Sequence, residues 1–255
     1  MKYNLLCFAI LFIALQSNAQ NKPIAYKDGI QKLNGISTAP TIPIKGNPGI
    51  LILPAWKGID DHSKASAAQL ALLGYTTFIA DIYGEGNYPK STEEAGKQAG
   101  YYKKNHTEYQ KRITLALQQL ILAGANKDKI VVIGYCFGGT GALEAARSGM
   151  NVKGVVSMHG GLGKDAARSS TPIATKILVC HGADDPYVPQ LEVAAFQEEM
   201  RTSNADWQMI NYSNAVHAFT DPNVGNDNSK GAAYNEKAAK RSWEHLRVFL
   251  KEVLE

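Results

Sequence analysis

The chain has 255 residues, 45% of them hydrophobic and 20% charged, with a formal net charge of +4. Such a length suits one domain with an ample core, and the lysines are scattered beside Asp and Glu, so no basic stripe points to nucleic acid. The three cysteines, Cys7, Cys136 and Cys180, are too few for a disulfide scaffold.

The first element is a secretory signal over residues 1–19. One lysine precedes an apolar run from Leu5 to Leu15, and Ser17-Asn18-Ala19 offers small side chains for cleavage. Eleven apolar residues fall short of the ~20 that span a bilayer as a helix. The expectation is an exported, periplasmic or secreted protein without a permanent membrane anchor, its single domain running from Gln20 to Glu255. A monomer is expected.

From Ile24 to Pro40, Asp28-Gly29 and Asn34-Gly35 suit tight turns and predict an edge hairpin. Continuous apolar runs follow at Gly49 to Leu53, Tyr75 to Ala80, Lys129 to Ile133, Val152 to Met158, Lys176 to Cys180 and Trp207 to Ile210. Runs without polar alternation suit strands covered on both faces, as in a parallel sheet. Helices are predicted between them, over Asp61 to Leu73, Thr107 to Ala123, Thr140 to Arg147, Pro189 to Arg201 and Tyr234 to Leu250. In the second, Ile113, Ala116, Leu117, Leu120 and Ile121 form one stripe, and Thr107 with Gln110 suits a capping box. Alternating strands and helices predict an α/β fold, a mostly parallel central sheet between helical layers. Sites in such sheets lie beyond the carboxyl ends of the strands.

Three strand ends carry chemistry. Gly134-x-Cys136-x-Gly138-Gly139 follows a strand and precedes a helix, the nucleophile-elbow pattern with cysteine for serine. The glycines relieve clashes at a sharp turn, and a helix N-terminus favours thiolate. After Leu178 to Cys180 stand Asp184 and Asp185. Asp185 is the candidate to orient a base, with Asp184 as alternative. His217 lies in the loop beyond the next strand, giving the order nucleophile, acid, histidine that this fold uses. His181 is read as a site wall and His159 as a pocket-lining residue. His62, His106 and His245 fit ordinary helical positions. Oxyanion donors are expected from the backbone N–H groups of Phe137 and Trp56. Tyr83, Tyr135, Tyr187 and Phe219 are candidate pocket walls. Neither a zinc motif nor a phosphate-binding loop is present, so no metal and no cofactor are expected. The acidic and amide side chains of Asp221 to Gly231 read as surface-loop chemistry. Competing readings are a thiol-redox protein using Cys136 and Cys180, an inactive hydrolase fold that only binds, and acyl transfer by the same cysteine.

With these residues in view, the sequence resembles the dienelactone hydrolase family, a group within the α/β-hydrolases. The cues are Asp81-Ile-Tyr83-Gly84, Gly134-Tyr-Cys-Phe-Gly-Gly139, Gly182-Ala-Asp-Asp185-Pro-Tyr-Val-Pro189, His217-Ala-Phe-Thr220 and Tyr234-Asn-x-Lys237-Ala-Ala-x-Arg241-Ser-Trp243. The resemblance implies a Cys-His-Asp triad at Cys136, His217 and Asp185, oxyanion amides at Trp56 and Phe137, and a small ester or lactone as substrate. Ala55 stands where dienelactone-opening enzymes carry a glutamate. The arginines that hold the substrate carboxylate are not evident after Tyr83 or His217.

Overall fold

The computed structural model describes residues 21–254. The segment read as a secretory signal, with its cleavage point, lies outside the described residues.

The amino end forms the expected hairpin, β1 (Asn21–Asp28) and β2 (Gln31–Thr38), paired antiparallel. Its turn uses Gly29 at φ +57°. Asn34-Gly35, also read as a turn, lies inside β2 instead, because a bare Gly35 lets the Phe78 ring pack against the strand. The apolar runs become β3 (Gly49–Leu53), β4 (Thr76–Ile79), β5 (Ile130–Tyr135), β6 (Gly154–Met158), β7 (Lys176–Gly182) and β8 (Trp207–Tyr212). The eight strands form one sheet in the order β1-β2-β4-β3-β5-β6-β7-β8. Strands β3 to β8 are mutually parallel, and β2 joins β4 antiparallel.

The helices are α1 (Asp61–Leu72), α2 (Thr92–Lys104), α3 (His106–Leu122), α4 (Phe137–Arg147), α5 (Gln190–Thr202) and α6 (Glu236–Leu254). Each central strand feeds both layers. Leu51, Leu53 and Val132 pack with Tyr109, Ile113, Ala116, Ala142 and Phe196 on one face. Ile50, Ile52, Val131 and Ile133 pack with Leu70, Leu246 and Leu250 on the other. Two-sided burial of this kind is why these runs lack polar alternation.

Two helix starts differ from expectation. Asn105 caps α3 without a side-chain bond, and Gln110 donates to Glu144 rather than joining a capping box. The next, α4, begins immediately after Cys136 rather than at Thr140. A buried ion network ties its far end down. Arg147 bonds Glu144 at 3.1 Å and Glu199 of α5 at 2.7 Å, while Arg168 reaches Glu144 at 2.9 Å. Burial would raise the Glu144 carboxyl, but Arg168 and Arg147 bring it below its ordinary value. Among the described residues, no helix is long and apolar enough to cross a membrane.

Candidate active site

Cys136 sits at the corner between β5 and α4 with φ +54° and ψ −114°. A non-glycine residue in this region costs about 1–3 kcal/mol, and the surrounding packing enforces it. A Cβ on Gly134 would strike the Gly138 carbonyl, and one on Gly138 would strike the Leu53 carbonyl. Either side chain would push the elbow off the sheet.

His217 follows β8, its own N–H bonded to Gly231 and its carbonyl to Ala233. Its Nε2 lies 3.0 Å from Cys136 Sγ and its Nδ1 lies 2.8 Å from Asp185 Oδ2. The Asp185 side chain is 0% exposed, and its Oδ1 accepts the Tyr187 N–H at 2.9 Å. Asp184 is exposed, so the structure brings Asp185 and not its neighbour to the imidazole. Burial opposes charge at both partners, and their contact overrides it. Burial alone would raise the Cys136 thiol, yet the hydrogen bond and charge of His217, the Phe137 N–H and Lys103 bring it below its ordinary value. Likewise burial would lower His217, but its bonds to Asp185 and Cys136 raise it to about 10. Both shifts run in the direction of thiolate facing imidazolium.

The flanking residues divide sharply. Tyr187 is 60% exposed and meets the His217 ring edge-on at 5.4 Å, at the mouth of the site. Trp56 is half-buried in the loop after β3 and packs against the core under α2. Tyr83, read as a wall, is buried; its hydroxyl donates to the Trp56 carbonyl at 2.7 Å, and its ring stacks on Phe137. Tyr109 of α3 stacks on the same ring at 4.6 Å and donates to the Phe137 carbonyl at 3.0 Å.

Beside Tyr83, two further wall assignments are corrected, Phe219 and His159. Phe219, two residues past His217 in the base loop, is fully buried because its ring packs inward against Tyr212 and His159. His159 is buried behind the elbow, since its φ of +43° turns it back under Cys136. Tyr135 bonds Ser66 of α1 at 2.7 Å and lines a cavity of about 350 Å³ with His62, Met158, Thr220, Tyr234 and Trp243. Neither Cys136 nor His217 is in that wall. His181 is buried with Nδ1 unpartnered among the described residues. His62 and His245 do more than fill helical surfaces, bonding the Thr220 carbonyl and the Tyr212 hydroxyl.

Sequence reasoning missed Lys103. Its side chain is exposed, as the lysine doublet suggests, and its charge favours the Cys136 thiolate. The missed helix α2, whose first turn holds Glu93 and Glu94 and whose last holds Lys103 and Lys104, is what brings it there. Cys180 is a free, buried thiol whose sulfur accepts from the Tyr212 hydroxyl.

A solved dienelactone hydrolase-like promiscuous phosphotriesterase from metagenomic libraries is 32% identical, with a TM-score of 0.86, covering 93% of this chain and 100% of that one. An uncharacterised Caenorhabditis elegans protein is 36% identical over 50% of this chain and 82% of its own length. A Bradyrhizobium sp. protein named "Probable 2-oxo-3-(5-oxofuran-2-ylidene)propanoate lactonase" is 24% identical over 80% of this chain and 83% of its own. The acylaminoacyl peptidase of Pyrococcus horikoshii, 13% identical with a TM-score of 0.71 over 93% of this chain and 42% of that one, shares the fold. Residues 33–254 match the dienelactone hydrolase family, and with the elbow, the sheet order and these relatives in agreement, the chain belongs to that family.

Proposed function

We propose that this protein hydrolyses small carboxylic esters or lactones through a thioester on Cys136. The observation that carries the reading is the His217 ring standing between Cys136 Sγ and Asp185 Oδ2 at 3.0 and 2.8 Å. One imidazole in contact with both a thiol and a buried carboxylate is equipped to move a proton in either direction.

In the proposed reaction the Cys136 thiolate attacks the carbonyl carbon, and the carbonyl oxygen takes the electron pair. The N–H groups of Trp56 and Phe137 stabilise that oxygen; one such donor is worth ~3 kcal/mol in a comparable hydrolase. Collapse breaks the carbon–oxygen bond to the leaving group, and the His217 imidazolium gives its proton to the departing alkoxide. The now neutral imidazole takes a proton from water as it attacks the thioester. Expulsion of the thiolate releases the acid and restores the ion pair. Asp185 holds Nδ1–H throughout, so Nε2 always faces the sulfur.

Ala55 puts no carboxylate in the place of the family glutamate, and here His217 holds the sulfur directly. The substrate class is therefore set as small esters and lactones in general rather than dienelactone. Export under the amino-terminal signal belongs to the same proposal. Steady-state hydrolysis of short aryl esters and simple lactones by wild type and Cys136→Ala tests it. Turnover by wild type alone is expected; equal rates for the two proteins contradict it.

A further inference from the structure

Behind the elbow lies a second histidine that the proposed reaction does not use. His159 is 2% exposed. Its backbone sits at φ +43°, a left-handed conformation that costs about 1–3 kcal/mol for a residue with a side chain. The Cys136 backbone N–H donates to its Nδ1 at 3.2 Å and shares that proton with the Met158 carbonyl at 3.0 Å. Since Nδ1 accepts, the ring proton resides on Nε2, which donates to the Thr220 hydroxyl at 2.7 Å. Thr220 is three residues beyond His217 in the same loop. Its carbonyl in turn accepts from His62 Nε2 at 3.1 Å. The His159 ring also meets the His217 ring edge-on at 5.6 Å and Phe219 at 5.1 Å.

One imidazole thus grips the nucleophile's own amide with one nitrogen and the base loop with the other. Only a neutral ring can do both, because an imidazolium has no acceptor nitrogen. Burial, with His217 and His62 nearby, holds His159 well below the ordinary histidine value. The sulfur and the base come from segments 81 residues apart, so their 3.0 Å contact depends on whatever links the two turns.

We propose that His159 and Thr220 are positioning residues: the His159 imidazole, clamped between the Cys136 N–H and the Thr220 hydroxyl, sets the spacing of the elbow and the base loop at which His217 meets the sulfur. The inference rests on reading Cys136 and His217 as nucleophile and base. Thr220 is partly exposed, so its side chain can be changed with little disturbance to the core. Thr220→Val keeps the shape and removes the hydroxyl; Thr220→Ser keeps the hydroxyl. The sulfur's other ionisable neighbours, Lys103 of α2, Tyr83 and Tyr109, and the Asp185 carboxylate stay in place in both.

The experiment follows iodoacetamide alkylation of Cys136 against pH by peptide mass, alongside kcat and KM for an aryl ester. Thr220→Val is expected to move the alkylation midpoint to higher pH and to lower kcat about tenfold at unchanged KM, as small misplacements of reacting groups do. Thr220→Ser is expected to follow wild type in both. His159→Phe, which keeps an aromatic ring without either nitrogen, should shift the alkylation profile the same way. A Thr220→Val profile superimposed on wild type overturns the proposal, as does a Thr220→Ser loss equal to that of Thr220→Val. Alkylation needs no substrate. A wild type that hydrolyses no ester therefore defeats the functional reading, while the alkylation profiles still decide the role of His159 and Thr220.

Discussion

The Tyr83 hydroxyl donates to the Trp56 carbonyl oxygen across 2.7 Å. Trp56 is one of the two residues whose N–H groups are proposed to bind the oxyanion. The Phe137 carbonyl, belonging to the other, is held in the same manner by Tyr109 at 3.0 Å. Burial makes both phenols much weaker acids than usual, so both stay protonated and remain donors. Tyr83→Phe keeps the stacked ring and removes the anchor of the Trp56–Lys57 peptide, which joins at the Trp56 Cα the peptide that carries the proposed oxyanion N–H. Its kcat for ester hydrolysis should fall by up to tenfold, a part of the ~3 kcal/mol that a whole donor supplies, with KM little changed. Steady-state kinetics at saturating ester check this, and an unchanged kcat removes the anchoring role.

The two adjacent carboxylates should behave differently. Asp185→Asn keeps the volume at a fully buried position but presents an amide to Nδ1, favouring the wrong tautomer. A loss of kcat on the order of 10²–10⁴ is expected, by analogy with the equivalent change in a serine triad. Asp184→Asn lies on the exposed side of the turn and should keep wild-type rates. Parallel kinetics of the two variants decide between the neighbours; a reversed pattern would move the orienting role to Asp184.

A depressed thiol beside a raised imidazole predicts the direction of the pH dependence. Thiolate is present above the lowered Cys136 value and is lost as pH falls through it. Alkylation of wild-type Cys136 should therefore persist below the ordinary thiol value of 9.0. In His217→Ala the burial that raises the thiol remains and the contact that lowers it is gone. The alkylation midpoint should then rise above that of wild type. Rates of iodoacetamide labelling across pH measure it, and coincident midpoints for the two proteins would show that His217 does not act on the sulfur. On the alkaline side the His217 proton is lost through about 10, so leaving-group protonation should decline there.

Arg147 offers a test of the scaffold alone. Its guanidinium neutralises Glu144 and Glu199, whose side chains are about as buried as its own. Arg147→Ala strands those carboxylates, and loss of one partner from a buried ion pair costs about 3–5 kcal/mol. Urea unfolding should report a loss of that order, reduced to the extent that Arg168 still serves Glu144. A change below about 1 kcal/mol would show the network to be solvated.

Legibility in the sequence followed the physics of each segment. Continuous apolar runs mark parallel strands because both faces of the sheet are covered, and every predicted run from Gly49 onward became a strand. The elbow was visible because its glycines answer local clashes that any sequence making this turn must avoid. Contacts between distant segments were less accessible. Lys103 gave no local sign of its nearness to Cys136, since α2 carries only Ala95, Ala99 and Tyr102 as buried residues and its apolar stripe is thin. Nothing near His159 in sequence reports its left-handed backbone, which decides whether the ring lines the pocket or lies behind the elbow. Asn34-Gly35 carries the dipeptide of a tight turn, and tertiary packing against Phe78 overrode it.

The central claim is covalent chemistry at one sulfur. Rapid acid quench of wild type with a slowly deacylating aryl ester, followed by peptide mass analysis, tests it most directly. The account predicts one acyl group on the peptide containing Cys136, formed at the rate of phenol release and absent from Cys136→Ala. Turnover by wild type with the acyl group on any other residue, or undiminished turnover by Cys136→Ala, would contradict it.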